Sequence, residues 1–195
     1  MLGIDDVSKY ICDKLIDMLE TTPFHEIKIT EFVKYAKIGR STFYNYFDSL
    51  YDVLQRIEDD LLAELELKQA IEIFMAHMEE AENKSDGTES CFMPILVHYK
   101  KNRRTYSVLM GKNGDPYFEI RISQMILSLC RMATEELGPK YPENKQNLMY
   151  SYIAGGVASS LKWMATHMDD YDFDDFTDVL FLLSHSIMEL LEPNC

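Results

Sequence analysis

The sequence is poor in basic residues and contains neither paired cysteines nor a long apolar run. Its 195 residues include 19 Lys and Arg against 33 Asp and Glu, a net charge of −14. Because neutralising phosphates requires Lys and Arg, this balance argues against nucleic-acid binding over the whole surface. No apolar run reaches the roughly 18 residues of a membrane helix, and the acidic start of the chain contains no secretory apolar region. A cytoplasmic location without membrane attachment is expected.

The cysteines are few and widely spaced. Cys12, Cys91, Cys130 and Cys195 show no C-x-x-C spacing, which excludes the common zinc and dithiol motifs. We expect reduced thiols that pack as small apolar side chains, and a redox sensor or thiolate ligand is the alternative.

Sequence motifs of catalysis are also missing. G-x-S-x-G, H-E-x-x-H, the phosphate-binding Walker loop and the dinucleotide fingerprint do not occur, and the five histidines are scattered. Residues 169–175 begin like a calcium loop, but Asp175 occupies the glycine position and Phe181 the glutamate position. The sequence therefore predicts no enzyme, no metal site and no cofactor, and a solvated acidic loop at 169–175.

Apolar residues recur at helical spacing nearly throughout, which predicts an all-α fold of nine or ten helices. A first helix ends before Thr21, a second runs to about Tyr35, and a short third begins after Gly39. A long fourth helix starts after Asp48-Ser49, whose side chains can accept from its free N–H groups. Later helices are predicted over 66–82, 91–101, 105–110, 116–137, 143–168 and 174–191, with the clearest loop at 83–88.

One segment, 28–47, departs from the acidic background. It carries Lys28, Lys34, Lys37 and Arg40 against the single acid Glu31. A basic island on an acidic body can still dock on DNA, and repulsion of the body helps to orient it. Two short helices joined by about four residues and braced by a preceding helix form a helix-turn-helix, whose second helix enters the major groove.

The third helix offers the chemistry that such a reading helix needs. Arg40, Ser41 and Thr42 would lie in its first turn, where free N–H groups favour phosphate. Arg40 can bind a guanine edge or a phosphate, and the Thr42 methyl can pack on thymine. Phe43 and Phe47, four residues apart, would face inward.

Tyr44 and Tyr46 would point outward and donate to phosphate oxygens. The alternative is that the aromatic residues of 43–47 form only a core cluster of a helical bundle. The residues predicted to contact DNA are Lys28, Thr30, Lys37, Arg40, Ser41, Thr42, Tyr44 and Tyr46.

Residues 27–54 resemble the DNA-binding domain of the TetR family of transcriptional regulators. The matching residues are Ile27, Ile29, Phe32, Ala36, Ile38, Arg40-Ser41-Thr42-Phe43-Tyr44, Phe47 and Leu54. The resemblance implies a three-helix helix-turn-helix domain over 1–47 and a larger helical domain for ligand sensing and dimerisation over 48–195. The chain departs from the family pattern at five positions. Lys28 stands where the family usually has a capping Thr or Ser, Gly39 where it has a capping Ser, Tyr46 where it has His, and Leu50 where it has Lys. Lys37 replaces the turn glycine and is expected to take a left-handed conformation, at a cost of about 1–2 kcal/mol.

The resemblance also implies a homodimer formed by the last two long helices as a four-helix bundle. Each glycine of Gly155-Gly156 costs about 1 kcal/mol in a helix interior, a cost that close backbone approach can offset. The residues predicted at the interface are Ile153, Gly156, Val157, Ser160, Phe176, Leu180, Leu183 and Ile187. The alternative is that both stripes are intrachain core, and part of each is expected to be core in either case.

The middle of the chain is rich in Met and aromatic residues, which adapt to apolar ligands. By resemblance, the middle helices would enclose a pocket for a small apolar or amphipathic ligand. Its predicted lining is Phe92, Tyr99, Tyr106, Met110, Phe118, Met125, Tyr152 and Trp163, with plain core as the alternative. The basic run 100–104 is interpreted as a solvated helix end or, alternatively, as a site for an anionic ligand or a second phosphate contact.

The sequence thus predicts a DNA-binding transcriptional regulator, expected to be a repressor, that recognises a palindromic operator as a homodimer. A small molecule in the C-terminal domain would change its operator affinity. The alternative is a helical adaptor that keeps the fold but acts through protein–protein contacts.

Overall fold

The computed structural model describes residues 4–63, 93–137, 141–167 and 179, and in those ranges every regular element is helical. The predicted all-α fold is confirmed. The elements are α1 (Ile4–Leu19), a 3-10 turn (Phe24–Glu26), α2 (Ile29–Tyr35), α3 (Arg40–Tyr44), α4 (Leu50–Ala63), α5 (Met93–Lys101), α6 (Arg103–Met110), α7 (Phe118–Leu137) and α8 (Glu143–Thr166). The predicted helices over 66–82 and 174–191, the loop at 83–88 and the acidic segment 169–175 lie outside the described residues.

The break between the helices predicted over 91–101 and 105–110 is shorter than expected. Only Asn102 separates α5 from α6, because Arg103 already belongs to α6. Asn102 lies in neither helix, and its backbone N–H donates to the carbonyl oxygens of His98 at 3.0 Å and Tyr99 at 3.1 Å. None of the described helices combines the length and the apolar character needed to cross a membrane.

The N-terminal helices pack around α1. Its apolar side is buried at Ile11, Leu15 and Leu19, and it packs against α2 and α4. Near the middle of α1, the Tyr10 hydroxyl donates to the Ala36 carbonyl oxygen at 2.9 Å. This bond fixes the C-terminal end of α2 on α1.

The start of α4 is set by a reciprocal pair of side-chain caps. The Ser49 cap was expected from the sequence, whereas the cap from Asp52 was not. The Asp52 backbone N–H donates to Ser49 Oγ at 3.2 Å, and Asp52 Oδ2 accepts from the Ser49 and Asp48 N–H groups at 3.0 Å. This is a capping box with Asp in the place usually taken by Glu or Gln. It starts the helix that leads from the N-terminal helices into the rest of the chain.

Among the described helices, α7 and α8 make the most extensive packing, with Ile122 and Ile126 of α7 and Val157 and Leu161 of α8 buried. The short helix α6 packs against α1, α5, α7 and α8. It therefore connects the N-terminal helices to the C-terminal ones. The buried apolar side chains form one continuous cluster.

Candidate nucleic-acid interface

The turn between α2 and α3 is built on a residue in the left-handed backbone region. Lys37 has φ 53°, and within the described residues no other non-glycine residue has positive φ. The Lys37 N–H bonds to the Lys34 carbonyl at 3.3 Å and the Ile38 N–H to the Val33 carbonyl at 3.0 Å. These two bonds form a Schellman motif, in which the left-handed position is usually glycine. The left-handed conformation expected for Lys37 is therefore present, at a cost of about 1–2 kcal/mol.

The start of α3 has no side-chain cap. Gly39 is extended, with φ −74° and ψ 150°, and its missing side chain leaves the first N–H groups without an intramolecular cap. Arg40, Ser41 and Thr42 form the first turn, as predicted. The uncapped donors and the three polar side chains share one end of the helix.

The inner side of α3 is held by aromatic packing. Phe43 is completely buried, and its ring meets Phe32 of α2 edge-on with centroids 5.9 Å apart. Phe47 is also buried, with its ring 6.2 Å from that of Phe43. The inward placement of both rings is confirmed. Because α3 is only five residues long, this packing fixes its orientation more than its own backbone hydrogen bonds do.

The predicted DNA-contacting residues occupy the outer side of the same segment. Tyr44 is 51 % exposed, although its ring touches Phe43 edge-on at 5.5 Å. Tyr46 was expected to point outward, but it is only partly exposed, because part of its ring packs on the core. Of the others, Lys28, Thr30, Lys37, Arg40 and Ser41 are exposed and Thr42 is partly so. All eight are accessible, and their contact with DNA stays a prediction.

Polar side chains join α1 to the C-terminal helices. Arg104 of α6 binds Asp17 and Glu20 near the end of α1, each at 2.7 Å. The Asn113 side chain donates to the Glu20 carbonyl at 3.2 Å, and the Asn113 carbonyl accepts from the Phe24 N–H at 2.9 Å. These bonds hold the end of α1 against α6 and the loop that follows it.

A second set of ion pairs links α4 to α7, and the sequence did not predict it. Arg121 of α7 donates to both Glu58 and Asp59 of α4. Glu58 is only 2 % exposed. Burial, together with the neighbouring Asp115 and against the opposing effect of Arg121, raises the pKa of Glu58 to about 7. No local sequence pattern marks an ion pair between residues 58 and 121, because only the tertiary fold brings them together.

The residues predicted to line a ligand pocket divide into two groups. Tyr99, Tyr106, Met110 and Phe118 are buried, and the Tyr106 ring lies 5.2 Å from Tyr99 and 6.1 Å from Phe118, so these rings fill the core. Met125 packs at the edge of that core. Tyr152 and Trp163 are 80 % and 41 % exposed on α8, so their assignment to an internal pocket is corrected. Phe92 lies outside the described residues.

A buried polar group does remain in that core. The Tyr99 hydroxyl is buried and, among the described residues, has no hydrogen-bond partner. Nearby, His98 is buried, with Nδ1 3.2 Å from the Tyr106 hydroxyl and Nε2 3.0 Å from the Asn102 amide nitrogen. An unpaired buried hydroxyl costs about 1–3 kcal/mol, so a ligand group that bonds to the Tyr99 hydroxyl would offset that cost.

The residues predicted at the dimer interface also fall into a buried and an exposed group. Ile153 and Val157 are buried within the chain, because that side of α8 packs on α7, so their assignment to a dimer interface is corrected to core. Gly156 is exposed, and nothing lies within 4 Å of the place its Cβ would occupy. Ser160 is partly exposed. The other four predicted residues, Phe176, Leu180, Leu183 and Ile187, lie outside the described part of the chain.

The described cysteines have the chemistry of buried thiols. Burial raises the pKa of Cys12 to about 12 and that of Cys130 to about 11, which keeps both protonated at neutral pH. The redox or thiolate alternative is thus disfavoured for these two, since the thiolate is the reactive form. Cys91 and Cys195 lie outside the described residues. Over the described ranges, no cluster of His, Cys, Asp and Glu is arranged to hold a metal ion.

The comparison with protein families agrees with the resemblance of residues 27–54 to a TetR-type DNA-binding domain. The family model described as Transcriptional regulator C-terminal region, TetR_C_8, matches residues 86–182. This match lies entirely outside residues 27–54, so two separate parts of the chain lead to the same family. The chain belongs to the TetR family of transcriptional regulators. As a member of a family of DNA-binding regulators, it is not an enzyme.

One transcriptional regulator is similar to this chain in sequence over part of its length. The HTH-type dhaKLM operon transcriptional activator DhaS of Lactococcus lactis subsp. lactis (strain IL1403) is 35 % identical over 57 residues, 29 % of this chain. That alignment spans only 30 % of the length of the curated relative.

Two solved structures share the fold over nearly the whole chain. One is a TetR transcriptional regulator from Streptococcus agalactiae 2603V, with a TM-score of 0.62 and 18 % identity over 93 % of this chain and 94 % of that one. The other is a dihydroxyacetone kinase operon activator DhaS, with a TM-score of 0.56 and 17 % identity over 93 % and 96 %. At these identities the likeness concerns the fold alone.

Proposed function

We propose that this protein is a cytoplasmic transcriptional regulator that binds double-stranded DNA through α3. The observation that carries the proposal is the division of this short helix into two sides. Phe43 anchors the inner side, while Arg40, Ser41 and Tyr44 are exposed on the outer side. A helix held rigidly by its core contacts can present polar side chains to base edges with a fixed orientation.

Each exposed group has a distinct proposed role. Arg40 binds a guanine edge in the major groove or an adjacent phosphate. Tyr44 donates its hydroxyl to a phosphate oxygen, and the exposed Lys28 and Lys37 add sequence-independent charge. Base contacts then determine which operator is recognised, whereas the lysines and Tyr44 determine the register on the duplex.

We propose that two chains bind a palindromic operator as a homodimer. Support comes from the exposed side of α8, where Gly156 has open space above it and Tyr152 is exposed. Because Ile153 and Val157 already serve the intrachain core, the interface uses the opposite side of α8, together with the last part of the chain. Symmetric half-sites on DNA follow from this two-fold arrangement.

We further propose that a small molecule changes operator affinity by favouring one spacing of the two reading helices. The sequence led us to expect a repressor. The curated relative is named as an operon activator, which favours activation instead. A reporter fused to the recovered operator distinguishes the two, because expression rises on deletion of a repressor and falls on deletion of an activator.

Selection of bound sequences from a random DNA pool tests the proposal. The expected result is a palindromic motif with two half-sites one or more helical turns apart. The Arg40→Ala variant should lose affinity and relax the preference at one position, with a cost of about 1–3 kcal/mol for a lost base contact. Arg131→Ala, an exposed arginine on α7, is the matched control and should bind as the wild type does.

The adaptor alternative gives a different result in the same experiment. Failure to enrich any motif at low salt, where phosphate contacts are strongest, would reject the DNA-binding proposal. Retention of the motif by Arg40→Ala with unchanged preference would reject the role assigned to Arg40.

A further inference from the structure

A groove of about 670 Å³ lies where α1, α6 and α8 meet. Among the described residues, its lining includes four cationic side chains, Lys101, Arg103, Arg104 and Lys112, and the carboxylate of Glu20, which together with Asp17 pairs with Arg104. The whole chain has a net charge of −14, so this concentration of positive charge is local and unusual. Walls with one sign of charge focus the electric field and raise the local concentration of ions of the opposite sign.

The groove combines this charge with an apolar floor. Leu19 and Ala165 are buried side chains that line it, and Val108 is partly buried beside them. The volume lies within the range of about 300–1,000 Å³ found for small-molecule sites. It is larger than a bare inorganic anion needs, so the shape suits a molecule with an anionic end and an organic end.

The position of the groove separates it from the reading helix. Tyr10 of α1 bonds to the end of α2 just before the turn into α3, whereas Glu20 at the groove follows ten residues later. At 1.5 Å per residue along a helix, this places the groove about 15 Å further along α1. A small ligand can therefore occupy it without touching the surface proposed to bind DNA.

The ion pairs that link α1 to α6 also lie at the groove. Arg104 binds Asp17 and Glu20 at 2.7 Å, and it faces the groove together with Glu20. A phosphate group in the groove competes with these carboxylates for the guanidinium, which binds phosphate and carboxylate in the same bidentate way. Occupation of the groove would therefore change how firmly α1 is held against α6.

We propose that this groove binds a small phosphate-bearing molecule, with its anionic end on Arg103, Arg104 and Lys112 and its organic end on the apolar floor. Such a ligand alters the attachment of α1, which packs against α2 and α4 and is bonded to the end of α2 that leads into α3. The effect on DNA rests on the proposed function, whereas the binding of the anion does not.

Pyrophosphate is the first probe, measured by isothermal titration calorimetry with the full chain at about 50 mM NaCl, where screening is modest. The expected result is saturable binding, one anion per chain, with a dissociation constant below about 1 mM. The double variant Arg103→Ala/Lys112→Ala should weaken it at least about tenfold. Both side chains are exposed, and circular dichroism should show that the variant keeps the helical content of the wild type.

The control is Arg131→Ala/Lys145→Ala, which removes two exposed cations remote in sequence from the groove residues. It should bind pyrophosphate as the wild type does. Equal weakening in both double variants would mean a general charge effect and would overturn the proposal. Heat changes that match those of chloride at equal ionic strength, with no saturation up to about 10 mM, would also overturn it.

Phenyl phosphate, used as a second probe, tests the apolar floor. It should bind more tightly than inorganic phosphate, and the neutral substitution Val108→Thr should reduce that difference while leaving inorganic phosphate binding in place. Equal affinity of the two probes for the wild type would refute the organic end of the proposed ligand.

DNA titrations with and without pyrophosphate at matched ionic strength complete the test. If DNA is bound but the groove variant loses DNA affinity while retaining pyrophosphate, these cations belong to the DNA contact and the groove proposal fails. If no DNA is bound but pyrophosphate binding shows the expected variant pattern, only the proposed regulator function fails.

Discussion

The ion pair between α4 and α7 predicts an unusual dependence of stability on pH. Burial raises the pKa of Glu58 from an ordinary 4.5 to about 7. The folded chain therefore holds the Glu58 proton more tightly than the unfolded chain does. This contribution to stability is complete below about pH 4.5 and disappears as the pH rises through about 7.

The magnitude follows from the size of the shift. One pKa unit corresponds to about 1.4 kcal/mol, so Glu58 should account for about 3 kcal/mol over this window, as an upper value. Two groups act on the Glu58 carboxyl from α7 and the preceding loop: Asp115 raises its pKa, and Arg121 lowers it. Asp59, its neighbour on α4, shares Arg121.

Glu58→Gln is the perturbation that isolates this effect, because it keeps the shape and removes the titration. Unfolding in urea should be measured from pH 4.5 to 8 at fixed protein concentration, since association stabilises by mass action. The free energy of unfolding of the variant, relative to wild type, should rise by up to about 3 kcal/mol across this range. Asp59→Asn removes a half-exposed carboxylate from the same arginine and should show a difference that stays within about 0.5 kcal/mol.

An identical pH dependence in wild type and Glu58→Gln would refute this reasoning. It would mean that the folded and unfolded chains bind the Glu58 proton equally well. A dependence that changes as much in Asp59→Asn would instead assign the effect to the loss of any charge beside Arg121.

Three further outcomes can be tested on single residues. Phe43→Ala should lower the free energy of unfolding by about 3–5 kcal/mol. Tyr44→Phe should change it by less than about 0.5 kcal/mol but weaken DNA binding. If urea denaturation shows that both variants lose a comparable free energy of unfolding, Tyr44 is a core residue. Lys37→Gly should raise the free energy of unfolding by up to about 1 kcal/mol, because φ is 53° at this position; a lower thermal midpoint would contradict the strain. Gly156→Leu should keep the fold, because nothing lies within 4 Å of the added carbon, yet yield monomers in sedimentation; a monomeric wild type or an intact variant dimer would refute the interface.

Local sequence pattern determined the helices and the reading segment. Helical periodicity predicts the ends of α1 and α2 and both bounds of α7 and α8 to within about two residues, since burying one side of a helix requires apolar residues every three or four positions. The inward side of α3 was also predictable, because Phe43 and Phe47 share one side of the segment. Lys37 in the position of a turn glycine predicted the positive φ that the backbone adopts.

Tertiary packing decided which apolar side chains remain available for ligands or partners. Periodicity cannot distinguish a side that packs within the chain from one that faces another molecule, because both need the same residues. For this reason Ile153 and Val157 are core, whereas Tyr152 is exposed on the same helix.

The ion pairs between helices could not be predicted from the sequence either. Arg104 meets Asp17, and Arg121 meets Glu58, across more than sixty residues of chain. Charged residues are common on helices, and only the fold selects which of them lie close enough to pair or are buried enough to shift a pKa. The sequence by itself thus determined the helices and the residues predicted to contact DNA. Tertiary packing decided the ion pairs between helices, the groove and the burial of the Glu58 carboxyl, because these depend on distances between remote parts of the chain.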